Sequence, residues 1–186
     1  VMKVISDSRL DSVIHSMKNQ QAKAKQYKES FSSCPFEVQF SATDAVIRDN
    51  TGRLLFIVRG KDFGQGLLAM VGGFLEPQLT YEQNMKKEVL EETGIDLSLV
   101  PHKIVTSWFC DNPKRDIRGR MTTMAFLVQL DCAFEDLEIT AGDDACDYKI
   151  IDSSELMNYI LWADHAGIAR KLLHLEELDV KYIQNH

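Results

Sequence analysis

The sequence has 186 residues, which suits one domain with room for a small appendage. Its 45% hydrophobic and 26% charged content are those of a globular protein whose core needs no disulfide or zinc staple. A net charge of −7 excludes a broad nucleic-acid surface. The chain also lacks a run of about 18 apolar residues and a charged-then-apolar leader, so the expectation is a cytoplasmic protein without a membrane span.

Residues from about Asp7 to Glu29 lack Gly and Pro and predict a helix, with Leu10, Val13, Ile14 and Met17 on one face. Beyond Met17 apolar residues thin out, which predicts a solvated or partner-packed second half. Ser30 to Pro35 is a break that sets a helical arm (residues 1–31) apart from a main domain (32–186). Phe40 to Arg48 and Arg53 to Arg59 read as strands around the hairpin turn Asp49 to Gly52. Leu67 to Val71 reads as a short strand among Gly64, Gly66 and a Gly72-Gly73 turn. Thr80 and Gln83 form a capping box for a helix over Tyr81 to Thr93, and Gly94 is its C′ residue.

Lys103 to Phe109 and Met121 to Leu130 are further strands, joined by a polar, basic loop. Lys149 to Ile151 is a last short strand. Asp152 to Glu155 predicts an N-cap for a helix to about Ala163, and a final helix covers His165 to Leu178. Strands mixed with two or three helices imply a mixed sheet covered on both faces. Four scattered cysteines, Cys34, Cys110, Cys132 and Cys146, form no CxxC pair and read as reduced, mostly buried thiols.

Glu88, Glu91 and Glu92 stand at i, i+3 and i+4, which places three carboxylates on one helical face. By spacing alone this is either a solvated acidic face offset by Lys86 and Lys87, or a site for a hard cation such as Mg²⁺ or Mn²⁺. Val89 and Leu90 require one flank of the helix to pack, and the preceding glycines permit close backbone approach.

The segment from Gly73 to Ile95, GFLEPQLTYEQNMKKEVLEETGI, resembles the Nudix box, Gx5Ex7REUxEExGU. It departs at Leu79, where the pattern has Glu, and at Lys87, where it has Arg. The resemblance implies an α/β/α sandwich with a mixed sheet, here carrying the N-terminal helical arm. It implies metal ligation by Glu88 and Glu92, with Glu91 a ligand or its support and the Gly72 carbonyl completing the shell. Lys87 keeps a positive charge beside the glutamates but loses the bidentate fork of Arg, so slower or altered turnover is expected.

The stretch Trp108 to Phe126, with Gln26 to Phe31 and Gly142 to Ala145, is similar to the ADP-ribose pyrophosphatase half of bifunctional nicotinamide-mononucleotide adenylyltransferase/ADP-ribose pyrophosphatase proteins. The implied reaction is Mg²⁺- or Mn²⁺-dependent hydrolysis of ADP-ribose to AMP and ribose 5-phosphate. NADH, dinucleoside polyphosphates and nucleotide-sugars are the alternative substrates. A non-catalytic ADP-ribose sensor is a further reading, against which the three retained glutamates argue.

Arg59, Arg118 and Arg120 are candidate phosphate contacts, or else surface charge. Asp143 and Asp144 lie where the family often places a general base, with Asp144 the choice, or else form a plain turn. Cys146 stands where related sequences often carry Glu. Trp108 or Phe109 is either an adenine-stacking residue or core. The implied partner is a small nucleotide. The arm is either a linker from an adenylyltransferase domain or a dimer-forming extension, and the assembly leans to a homodimer.

Overall fold

The structure, a computed structural model, describes residues 7–61 and 63–184, with side chains between 15 and 174. Helix α1 (Asp7–Glu29) is followed by β1 (Gln39–Arg48), β2 (Arg53–Arg59), β3 (Leu68–Ala69) and β4 (Val71–Phe74). Then come α2 (Tyr81–Thr93), β5 (His102–Cys110), β6 (Arg120–Leu130), β7 (Ala145–Asp152) and α3 (His165–Gln184).

All seven strands join one mixed sheet, ordered β3-β2-β1-β6-β5 along its main path. Strand β1 runs parallel to β6 from Gln39↔Arg120 to Arg48↔Gln129. Its other edge is shared. Ala42 to Ala45 pair with β4, whereas Ile47 and Arg48 pair with β2, so the sheet forks near Val46. Beyond the fork, β2 takes β3 on one edge and β7 on the other.

The period-two alternation of these strands feeds two cores. Ala45, Ile47, Leu55, Ile57 and Val128 meet Met85 and Val89 of α2 on one face. Val46, Leu54, Phe56 and Leu127 meet Ile168, Ala169 and Leu172 of α3 on the other. The sandwich expected from the sequence is therefore present, with an N-terminal helix before it.

Several elements differ from the sequence reading. Gly72 and Gly73 form no turn but lie within β4. A Cβ at Gly72 would collide with the Thr43 carbonyl oxygen, so glycine serves close strand approach there. The predicted strand over Leu67 to Val71 breaks at Met70, whose N–H leaves the ladder to donate to His165 Nδ1 at 3.0 Å. Strand β7 has eight residues rather than three, because half of its side chains are exposed and its apolar signal is weak.

The helix predicted after Asp152 is a 3₁₀ segment, Ser153–Asn158, and Asp152 makes no side-chain cap. Leu161 then bridges to Leu68, and Ala163 takes φ of 48°. Helix α3 runs past Leu178 to Gln184. All four cysteines are free, but Cys34 and Cys146 are exposed, so the thiols are not mostly buried.

The side chains of Leu10, Val13 and Ile14 lie outside the described residues, and Met17 is exposed. The arm docks through another face, with Ala24 buried and Tyr27 and Phe31 packed on Phe40. Among the described residues no helix is long and apolar enough to cross a membrane.

Candidate active site

Helix α2 is fixed at both ends. Thr80 Oγ1 accepts from Gln83 N–H at 3.2 Å, and Gln83 Oε1 accepts from Thr80 N–H at 2.9 Å. Gly94, at φ 73°, donates its N–H to the Leu90 carbonyl. Asn84 ties the first turn down, donating to Thr43 Oγ1 and accepting from Glu76 N–H, both at 2.9 Å.

The buried stripe of this helix is Asn84, Met85, Glu88, Val89, Glu92 and Thr93. Two carboxylates are thus carried inward by the same face that packs the core. Glu92 is 2% exposed, and its Oε2 accepts the Gly72 N–H at 2.9 Å. That N–H points away from β1, as expected of a non-hydrogen-bonded antiparallel position, so the Gly72 carbonyl lies on the same edge. Glu88 is 9% exposed and lies against Gly73, where a Cβ would come within 2.6 Å of Oε2.

Burial pushes Glu88 up to about 7; Lys87 works against the rise and Glu91 adds to it. Burial pushes Glu92 up to about 8, against the Gly72 hydrogen bond and with Glu88 adding to it. Glu91 faces out instead and pairs with Lys87, which also reaches Glu76 at 3.2 Å. Among the described residues, no three His, Cys, Asp or Glu side chains converge as a closed cation cage. The donor chemistry still fits a hard divalent ion: two buried carboxylates, with Lys87 3.9 Å from Glu88, beside a free-edge carbonyl.

These groups line a cleft of about 330 Å³ that Arg59, Arg115 and Arg118 also line. Arg59 donates Nε–H to the Phe63 carbonyl at 2.6 Å and stacks over Trp162, 5.3 Å from its ring centre. Burial lowers its pKa and Arg118 adds to the drop. Arg118 is forked onto Asp116, with Nη2 2.7 Å from Oδ2. Asp143 and Asp144 also line the cleft, each paired with Lys61, and Asp143 takes a left-handed φ of 47°.

Not every residue singled out in the sequence arrives here. Arg120 donates to the Asp111 carbonyl and lines a second cavity beside the end of the arm, which shares Asp116 and Arg118 with the cleft. Trp108 and Phe109 are exposed on β5 and line neither cavity; Lys171 covers the Trp108 ring. The reading missed Asp44, Arg115, Asp164 and His165. Arg115, with 4% of its side chain exposed, donates Nε–H and Nη2–H to Asp164 at 3.0 Å and lies 3.8 Å from Asp44. His165 Nε2 lies 3.9 Å from Asp44, and burial lowers the His165 pKa. These four come from three separate segments, so no spacing rule links them.

Comparison with known proteins bears on the family and the fold. A family model described as NUDIX domain matches residues 38–172. A curated ADP-ribose pyrophosphatase of Methanocaldococcus jannaschii is 32% identical over 130 residues, 69% of this chain and 70% of that protein. A bifunctional NMN adenylyltransferase/ADP ribose pyrophosphatase from Francisella tularensis superposes with a TM-score of 0.78 at 30% identity over 86% of this chain. The same kind of protein complexed with AMP and a Mn ion gives 0.78 at 29% over 92%. The chain spans about half the length of these two structures, 48% and 50%.

Proposed function

The chain belongs to the NUDIX family and is a Nudix pyrophosphohydrolase, and from that premise we propose that it hydrolyses ADP-ribose to AMP and ribose 5-phosphate. The observation that carries this reading is a cleft lined together by the buried carboxylates of Glu88 and Glu92 and by Arg59 and Arg118. Such a lining suits a pyrophosphate, because the guanidinium groups would bind its oxygens and the carboxylates would hold a divalent ion that offsets its charge.

Glu88, Glu92 and the Gly72 carbonyl would hold Mg²⁺ or Mn²⁺, with Glu91 joining them on release from Lys87. When bound, the ion lowers the pKa of water and offsets charge on the phosphates. Arg59 and Arg118 orient the anhydride, and Asp144, freed from Lys61, takes the proton of the attacking water. Arg120 would contribute from the second cavity, which Arg118 also lines. The choice of ADP-ribose is supported by the M. jannaschii relative, which is an ADP-ribose pyrophosphatase.

The test is incubation with ADP-ribose, NADH, diadenosine polyphosphates and nucleotide-sugars in Mg²⁺ or Mn²⁺, following AMP release by chromatography. ADP-ribose should be cleaved best, and Glu92→Gln should lower turnover at least about a hundredfold. Binding of ADP-ribose without AMP release, or full turnover in both Glu88→Gln and Glu92→Gln, would sink the proposal.

A further inference from the structure

The arm helix ends in an aromatic cluster that reaches the cleft. Tyr27 lies 5.3 Å from Phe31, 5.8 Å from Phe40 and 6.3 Å from Phe63, between ring centres. Phe40 continues the chain to Phe31 at 5.2 Å and to Phe74 at 5.5 Å. The guanidinium of Arg118 then stands 5.6 Å from the Phe63 ring and 5.4 Å from the Phe74 ring. Five rings from four segments therefore end on one cation that lines the cleft.

We propose that Tyr27 and Phe31 are positioning residues which, through Phe40, Phe63 and Phe74, hold Arg118 for the pyrophosphate of the substrate. This rests on the reading of Arg118 as a substrate contact.

Arg118 sits in a loop between β5 and β6 that has no ladder of its own. A long flexible side chain in such a loop needs outside constraint before it can bind an anion without losing rotamer entropy. Asp116 holds one edge of the guanidinium, through Nε and Nη2. Among the described residues none of its hydrogen bonds uses Nη1, which leaves that edge for a ligand. The two rings supply cation–π attraction to the remaining surface of the group.

Phe63 and Phe74 are themselves only half-buried or exposed, one on a loop and the other at the end of a four-residue strand. Phe40 and Tyr27 are the rings packed against them, and Phe31 backs both. Tyr27 lies three residues after the buried Ala24 on one face of α1, and Phe31 follows in the turn just beyond its end. The arm is thus joined to the site within one chain, whatever else precedes or pairs with it.

The test uses the full chain with Tyr27→Leu and Phe31→Leu together, which keeps apolar volume but removes the rings. ADP-ribose affinity is measured by calorimetry in EDTA, and KM and kcat in Mg²⁺. Kd and KM should both rise about tenfold, with kcat within about twofold of wild type. Tyr27→Phe should behave as wild type, and a cooperative melt at nearly the wild-type temperature separates positioning from unfolding. In an Arg118→Ala background, itself weakened for ADP-ribose, the leucine pair should add nothing.

Unchanged affinity in Arg118→Ala would overturn the substrate role of that residue. A weakened Arg118→Ala beside an unaffected leucine pair would overturn the coupling alone. So would losses that simply add when the three substitutions are combined.

Discussion

Glu88 and Glu92 lie where burial opposes their own charge, and each has little to offset it. A cation that binds only the folded state stabilises it by mass action, about 2.7 kcal/mol at a hundredfold excess over Kd. We therefore expect Mg²⁺ to raise the melting temperature of the wild-type protein. Glu88→Gln with Glu92→Gln should melt about 2–4 °C higher than wild type in EDTA and lose the response to Mg²⁺. A double variant that still gained stability from Mg²⁺ would place the ion elsewhere.

These carboxylates were legible in the sequence because one helix carries them at fixed spacing. Gly73 was legible as a glycine but misread as a turn former, since its need comes from the Glu88 carboxylate packed against it. Arg115, Asp164, Asp44 and His165 were invisible for the opposite reason: only tertiary packing joins them.

At the scale of elements, what could be read depended on how local the cause is. The α2 capping box and the β1–β2 hairpin are specified within a few residues and appear where expected. The Met70 break, the length of β7 and the 3₁₀ segment depend on distant partners or on exposed edges, and sequence periodicity does not report those.

The hairpin carries its own pH dependence. The Asp49 carboxylate accepts from Thr51 N–H, Thr51 Oγ1, Arg53 N–H and the Arg53 guanidinium at 2.6–3.0 Å. Burial alone would raise its pKa, but the bonds from Thr51 and Arg53 prevail and hold it below the ordinary value. A depressed folded pKa means a contribution that is complete above the unfolded value of about 3.9 and disappears as pH falls through the folded one. Asp49→Asn should therefore be less stable than wild type at pH 6, with the gap in urea midpoints narrowing towards pH 3. A gap constant with pH would show that the carboxylate charge contributes nothing.

Across the whole molecule, one sheet separates two cores and serves both. Met85 on the α2 side and Leu172 on the α3 side are each fully buried. Met85→Ala and Leu172→Ala should each cost about 2–5 kcal/mol, and both should shift one shared unfolding transition. Two separate transitions in either variant would mean that the faces fold independently. The fold class was legible at this scale, since alternating strands with helices leave few architectures, whereas the docking face of the arm was not. The stronger periodic pattern lies around Leu10 to Met17, and periodicity does not mark Tyr27 and Phe31 as the docking residues. The fork in the sheet bears on metal discrimination. His165 lines the cleft, yet Met70 N–H occupies the Nδ1 lone pair, so the neutral ring keeps its proton on Nε2. Neither nitrogen is left to coordinate, so the histidine that lines the cleft offers no lone pair to a metal ion. If the ion binds as proposed, the carboxylates and the Gly72 carbonyl would be its donors, an oxygen set that suits magnesium or manganese better than imidazole-seeking transition metals.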